Sequence, residues 1–129
     1  MREHGSFQMT IVDQTIVIQC FGTWNLETVL RLCEEYKELV EKINEKPWAC
    51  LVDLSQWELA TPAMWNEISE LNEWSNNNNQ KYEAVIYSLS IQRALMVDSH
   101  IVLTNVETNF FENLDQAYKW LKSVGVIKY

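Results

Sequence analysis

The segment from Asp53 to Ser55 is the leading candidate for chemistry in this sequence. Asp53 stands near the end of an apolar run, Trp48 to Leu54, whose composition is typical of a central strand covered on both faces. Open α/β sheets place their binding sites at the carboxyl ends of such strands. Asp53 and Ser55 are therefore candidate binding residues. The alternative is that Asp53 only accepts hydrogen bonds from loop amides.

A second polar group, Asp98-Ser99-His100, contains the residue types of a hydrolase triad. Adjacent residues on a helix point in different directions, so we expect no hydrogen-bonded relay among these three side chains. No GxSxG sequence, the usual setting of a nucleophilic serine in α/β-hydrolases, occurs in the chain. The interpretation we favour is a helix end with polar residues.

The sequence lacks the motifs that are typical of metal sites, nucleotide-binding sites and nucleic-acid-binding proteins. A metal site needs three or four convergent ligands, whereas the two histidines, His4 and His100, lie in unrelated segments. The chain contains neither a phosphate loop (GxxxxGKS or GxxxxGKT) nor GxGxxG. Ten basic against eighteen acidic residues give a net charge of −8, which argues against nucleic-acid or anionic-membrane binding. We therefore expect no cofactor, no nucleic-acid partner, no membrane insertion and no enzymatic activity.

An apolar cluster is predicted just beyond the candidate strand end. Trp57, Met64 and Trp65 lie close together in sequence, and Thr61-Pro62 favours an N-cap followed by proline at the first helical position. Helical spacing buries at most one side of this group, so we predict a partly exposed surface suited to a partner or an apolar ligand. Trp57, Thr61, Met64 and Trp65 are thus candidate binding residues. The alternative is that the tryptophans fill a core.

Hydrophobic periodicity supplies the elements that must position these residues. It predicts strands at 6–12, 15–21, 48–54, 82–89 and 108–111, and helices at about 26–44, 62–76, 91–102 and 113–125. Asn25 is the predicted N-cap of the first helix, Gly22 is expected to bend the chain out of the sheet, and residues 55–60 are expected to form a loop. The order β-β-α-β-α-β-α-β-α predicts one α/β domain, residues 1–129, with a mixed sheet opened by an antiparallel hairpin and helices packed on it.

The cysteines and the amino terminus predict a cytoplasmic protein. Cys20, Cys33 and Cys50 form an odd set without a CxxC pair, and each lies in an apolar pattern. The first six residues have no apolar stretch of the kind found in a secretory signal. We expect reduced thiols in the cytoplasm.

The sequence resembles the STAS domains, in particular the bacterial SpoIIAA-like group named after the sporulation anti-sigma-factor antagonist. The first resemblance is Asp53-Leu54-Ser55 ending a buried strand, with a helix beginning eight residues after Asp53. The second is NFFEN at 109–113 followed by 114–121, which is similar to this group's closing strand and its xxAxxWL helix. The similarity covers nearly the whole chain as a pattern. It implies a STAS-like fold and a regulatory role rather than catalysis.

The resemblance also implies a departure at the site that antagonist-type STAS domains use as a switch. There, a serine at the start of the helix after the strand is phosphorylated by a partner kinase. The corresponding Asp-Ser-Ser falls on Thr61-Pro62-Ala63, so both serines are missing, and Met64 and Trp65 replace the glycines that follow. The resemblance thus implies a module without the usual phospho-serine switch, with Ser55 and Thr61 as the remaining candidate hydroxyls.

Two functions follow from these observations. The leading prediction is a non-enzymatic cytoplasmic regulatory or protein-interaction module, whose partner is another protein or a second copy in a homodimer. The alternative is binding of a small apolar ligand or lipid between the sheet and the second helix, where Trp57, Met64 and Trp65 would line a pocket like that of the similar Sec14-type fold.

Overall fold

Strands and helices alternate after an opening hairpin, in the order predicted from the sequence. The computed structural model describes residues 5–60 and 62–128. The strands are β1 (Ser6–Val12), β2 (Thr15–Trp24), β3 (Trp48–Ala60), β4 (Gln80–Ile86) and β5 (Glu107–Phe111). The helices are α1 (Leu26–Val40), α2 (Met64–Asn76), α3 (Ser90–Ser99) and α4 (Leu114–Ser123).

The five strands form one mixed sheet in the order β1-β2-β3-β4-β5. Strands β1 and β2 pair antiparallel, and every other neighbouring pair is parallel. The side chains of the central strand β3 pack into two cores, one on each face of the sheet. Cys50 and Leu54 pack in the core on the side of α1 and α2, whereas Ala49 and Leu51 pack on the side of α4. Burial on both faces explains why this strand is almost continuously apolar.

Two helix starts are set by asparagine caps, of which Asn25 is the predicted one. The Asn25 side chain accepts a hydrogen bond from Thr28 N at 3.2 Å, and the Asn113 side chain accepts one from Gln116 N at 2.9 Å. Each bond satisfies one amide that the first helical turn leaves without a partner.

The predicted loop at residues 55–60 is wrong, because β3 continues to Ala60. This extension pairs with the end of β2, where Gly22 aligns with Trp57. Gly22 therefore stays in the sheet instead of bending the chain out of it. Gly22 has a φ of +72° and lies between two shifts in the β2–β3 register. This is typical of a β-bulge, which accommodates an extra residue without ending the strand.

Several element boundaries also differ from their predictions. Helix α2 begins at Met64, and Pro62 lies in the preceding turn, where its carbonyl accepts a hydrogen bond from Trp65 N at 3.2 Å. The predicted cap Thr61 lies outside the described residues. Helix α1 ends at Val40, because the tighter bond from Ile43 N to the Val40 carbonyl replaces the α-helical pattern.

Within the described ranges, the helices are too short or too polar to cross a membrane.

Candidate functional site

Asp53 and Ser55 are joined by a local hydrogen bond within β3. Asp53 Oδ1 accepts a hydrogen bond from Ser55 N at 2.9 Å, which is the structural role given above as the alternative. Ser55 is exposed, and its carbonyl accepts a hydrogen bond from Ser88 Oγ at 3.4 Å. The segment at the end of the candidate strand therefore lies against the start of α3.

The predicted exposure of the apolar cluster is wrong for two of its three members. Trp57 is 4% exposed and Met64 is fully buried, whereas Trp65 is partly buried. Trp57 contacts Trp24 edge-to-face at 6.0 Å and Trp65 at 6.1 Å, measured between ring centroids. The extension of β3 accounts for this burial, and Trp57 lies in the same core as Cys50 and Leu54 because the register shift between Asp53 and Gln56 changes the phase of the strand's alternation.

A cavity of about 60 Å³ lies between the sheet and the helices on the α1, α2 and α3 side. Its wall is mainly apolar and includes three tryptophans, Trp24, Trp57 and Trp65; its polar lining includes Asn72, Glu83 and His100. Pockets for drug-sized ligands hold roughly 300–1,000 Å³. The cavity as it stands is several-fold smaller than such pockets, and the apolar ligand or lipid stays a prediction.

A buried contact between a carboxyl group and an imidazole lies at the polar end of this cavity. Glu83 on β4 is 3% exposed and His100 after α3 is 9% exposed, and the Glu83 carboxylate contacts His100 Nε2. Gln80 Nε2 donates to Glu83 Oε1 at 3.0 Å, and His100 Nδ1 lies 3.1 Å from Ser99 Oγ. Sequence analysis missed this pair, because 17 positions separate the two residues and no motif connects them.

Asp98, Ser99 and His100 do not form a three-residue relay with one another, although Ser99 Oγ lies 3.1 Å from His100 Nδ1. The carboxylate that completes the chain is Glu83, and Asp98 is exposed. The arrangement nevertheless does not activate a nucleophile, because Ser99 Oγ is buried and donates its proton to the Met96 carbonyl at 3.1 Å. Its geometry is that of a buried polar helix end.

Two further titratable side chains adjoin Glu83 and are held neutral. Burial, with a smaller contribution from Glu83, raises the pKa of the Cys50 thiol well above its ordinary value. Burial likewise raises the pKa of Tyr36, whose hydroxyl accepts a hydrogen bond from Ser75 Oγ at 3.1 Å. Because the thiolate is the reactive form of cysteine, Cys50 lacks the environment of a nucleophile.

Helix α3 and its ends expose several large apolar side chains and bury two polar ones beside Met96. Gln92, Met96 and Ser99 are its buried residues. Apolar side chains are exposed at Leu89 (53%), Ile91 (52%), Val97 (50%) and Ile101 (72%). We call these four residues the α3 apolar stripe. A helix packed on a core normally shows the opposite polarity, and contiguous exposed apolar surface marks an interaction site.

Gln92 fixes the apolar stripe relative to β3. Its Nε2 donates to the carbonyls of Leu54 at 3.1 Å and Trp57 at 2.7 Å. Its Oε1 accepts from the amides of Ser88 at 2.9 Å and Leu89 at 3.2 Å. The start of the stripe is thereby held beside the end of the candidate strand.

In the part of the chain that the structure describes, no group of three or more His, Cys, Asp or Glu side chains is placed to hold a metal ion.

Comparison with known proteins gives a likeness of fold. No family model and no curated protein matches the sequence. An uncharacterised Shewanella loihica protein of the DUF3478 family, with a SpoIIAA-like fold, superposes with a TM-score of 0.71 at 17% identity, over 94% of this chain and 96% of that one. The anti-sigma factor antagonist SpoIIAA in its unphosphorylated form gives 0.68 at 9% identity, over 94% and 100%. An anti-sigma factor antagonist from Mycobacterium paratuberculosis gives 0.61 at 13% identity, over 92% and 94%.

These likenesses span nearly the full length of the solved structures, and they confirm the predicted SpoIIAA-like, STAS-like fold.

Proposed function

We propose that this protein is a non-enzymatic regulatory module of the cytoplasm that binds a protein partner through the α3 apolar stripe. The observation that carries the proposal is the outward apolar side of α3. Helix α3 buries Gln92 and Ser99 and exposes aliphatic side chains. A partner that covers these side chains removes apolar surface from water, which favours binding. The regulatory part is supported by fold, because two of the similar structures are anti-sigma factor antagonists.

The partner of this surface is a different protein with an apolar centre and a basic rim. The chain has a net charge of −8, so a second copy would bring two acidic surfaces together. Exposed Asp98 lies between Val97 and the end of the helix, where a basic rim would meet it. Complementary charge raises the association rate and excludes wrong partners.

The candidate binding residues take different parts in this proposal. Ser55 is exposed next to the start of the stripe and belongs to the contact surface. Trp57 supports that surface from beneath, because its carbonyl accepts a hydrogen bond from Gln92, and Asp53, Thr61, Met64 and Trp65 stay predicted binding residues.

We also propose that the module works without the usual phospho-serine switch. Exposed Pro62 and Ala63, which stand where the resemblance places the two serines of the motif, have no hydroxyl group to accept a phosphate.

A pair of charge substitutions tests the surface. Val97→Glu places a carboxylate on the stripe, whereas Leu30→Glu makes the same change on α1, where Leu30 is 47% exposed against 50% for Val97. A partner isolated from the native cell and then purified should bind Val97→Glu about ten-fold or more weakly, as for an interface hot spot. It should bind Leu30→Glu as it binds the original protein, in titration calorimetry.

Thermal melts of both variants check that the fold is retained, and light scattering measures self-association. Equal affinities for Val97→Glu and the original protein, or equal losses in both variants, would overturn the proposed surface. A dimer that Val97→Glu dissociates would instead make the occupant a second copy and contradict the basic partner.

A further inference from the structure

The cavity beneath α3 has room for more than water. One buried water needs roughly 10–15 Å³ of such space, so 60 Å³ corresponds to about four to six water-sized units. That is the size of an organic molecule with about six non-hydrogen atoms. The volume as it stands is several times smaller than the pockets that hold drug-sized ligands.

The wall of the cavity suits a small apolar body. Trp24, Trp57 and Trp65 form a row of edge-to-face rings along it, and Met96 adds a polarizable thioether. Aromatic rings and methionine adapt to apolar guests without an exact match of shape.

Two buried nitrogens of cavity-lining residues make no hydrogen bond among the described residues: His100 Nε2, which contacts the Glu83 carboxylate, and Trp57 Nε1, which has no such contact. Trp57 is 4% exposed, and its Nε1 is buried without an acceptor among residues 5–60 and 62–128. Two other tryptophans show the usual arrangement: Trp24 Nε1 donates to the Ser6 carbonyl at 3.0 Å, and Trp48 Nε1 donates to the Asn78 carbonyl at 2.7 Å. Buried indole N–H groups normally have a partner, so the Trp57 donor indicates a missing acceptor.

The polar end of the cavity favours a neutral guest. Glu83 and His100 contact each other, and Asn72 Nδ2 already donates to the Ser99 carbonyl at 2.9 Å. A charged guest would enter this apolar space without a counter-ion, at a high desolvation cost.

We propose that this cavity is a binding site for a small neutral molecule whose apolar body is about one five-membered ring and whose single hydrogen-bond acceptor receives the Trp57 Nε1 proton. The site lies on the inner side of α3, and its occupation requires no partner on the outer side. Its test is therefore independent of the proposed function.

Two probes of nearly equal shape test the acceptor: cyclopentanone, which has a carbonyl oxygen, and cyclopentane, which has none. The protein contains six tryptophans, whose indole N–H signals are resolved individually by ¹H–¹⁵N NMR and assigned by substitution. Cyclopentanone should shift the Trp57 signal saturably, and cyclopentane should bind more weakly. The Trp48 signal should stay unchanged, because its N–H already has an acceptor in the protein.

Three variants separate the site from general effects on the fold. Trp57→Phe keeps a ring but removes the donor and should weaken cyclopentanone binding about ten-fold, with cyclopentane unaffected. Ile68→Phe fills the cavity from α2 and should abolish binding of both probes. Trp120→Phe on the opposite face of the sheet is the control and should change neither affinity.

Ile68→Phe keeps the proposal testable if Trp57→Phe fails to fold in a thermal melt. Absence of a saturable Trp57 shift, equal binding of the two probes, or unchanged binding in Ile68→Phe would each overturn the proposal. An ordered water on the Trp57 N–H that cyclopentanone does not displace would also overturn it, because water would then be the occupant.

Discussion

At the scale of single residues, we expect the buried contact between Glu83 and His100 to have the largest effect on the free energy of unfolding. Removing a carboxylate from water costs several kcal/mol, which is recovered only when a partner and hydrogen bonds surround it. His100 and Gln80 supply those contacts from two different segments. The pair therefore connects β4 to the residue that follows α3.

We expect His100→Ala to destabilise the protein by about 3–5 kcal/mol, because it leaves the Glu83 carboxylate buried without its partner. Urea unfolding at pH 7 measures the change in the free energy of unfolding. Asp98→Ala, which removes an exposed carboxylate two positions away, is the control and should stay within about 0.5 kcal/mol of the original protein.

The double variant Glu83→Leu/His100→Leu should recover part of the stability lost in His100→Ala, since two apolar groups replace the pair. A loss below about 1 kcal/mol in His100→Ala would contradict a buried, mutually dependent pair.

Sequence analysis compared His100 with its neighbours Asp98 and Ser99 and with His4, and so could not find Glu83. The pairing depends on how β4 and α3 pack, which is a long-range property. The only local signal was a glutamate in the otherwise apolar half of β4, at 83 in YEAVI. A buried charge in a strand indicates a partner but does not identify it.

At the scale of elements, α3 shows what periodicity can and cannot predict. Ala94, Leu95 and Val97 favoured a helix, and the helix is confirmed. Apolar residues at helical spacing normally mark the side that faces the core, whereas the structure exposes Ala94 and Val97. Hydrogen bonds from Gln92 and Asn72, which periodicity does not register, determine which side of α3 faces the sheet.

The β3 extension was missed for a related reason. Ser55 and Gln56 are polar and suggest a loop, but their strand pairs with the end of β2 beyond a bulge at Gly22. The pairing is decided by a partner strand over thirty residues earlier in the chain. Its consequence is the burial of Trp57, and with it the cavity.

The cap of α1 was predictable because its signal is local. We expect Asn25→Ala to lower the free energy of unfolding by about 1 kcal/mol, since the bond from Thr28 N to Asn25 Oδ1 is lost. Asn66→Ala, an exposed position within α2, is the matched control and should be neutral or slightly stabilising. Equal effects of the two changes in urea titrations would contradict a capping role.

At the scale of the whole molecule, the fold was predictable and the site was not. A continuous apolar run, a β-hairpin and alternating elements leave few topologies for a mixed sheet, and the observed strand order is one of them. The cavity and the stripe depend instead on the position of α3 over the sheet. That position depends on polar contacts between segments that are distant in sequence. No local sequence pattern predicts such contacts.

The thiols buried on the cavity side of the sheet make the whole fold sensitive to alkali. Burial raises the pKa of Cys20 and of Cys50 far above the ordinary thiol value of 9.0, and it raises the pKa of Tyr36 above 10.0. Below pH 9 the thiols are neutral in the folded and unfolded chains, so their full contribution to stability is present. Above pH 9 the unfolded chain loses protons that the folded chain keeps.

The free energy of unfolding should therefore fall as the pH rises from 9 to 11, by about 1.4 kcal/mol per pH unit for each thiol. Urea unfolding with a reductant at pH 7, 9, 10 and 11 measures this slope. Cys20→Ala should reduce the slope by the contribution of one thiol, about 1.4 kcal/mol per pH unit. This reduction distinguishes the buried cysteines from lysines that titrate in the same pH range. A free energy that stays constant from pH 9 to 11, or a slope that Cys20→Ala leaves unchanged, would contradict the assignment of alkaline sensitivity to the buried thiols.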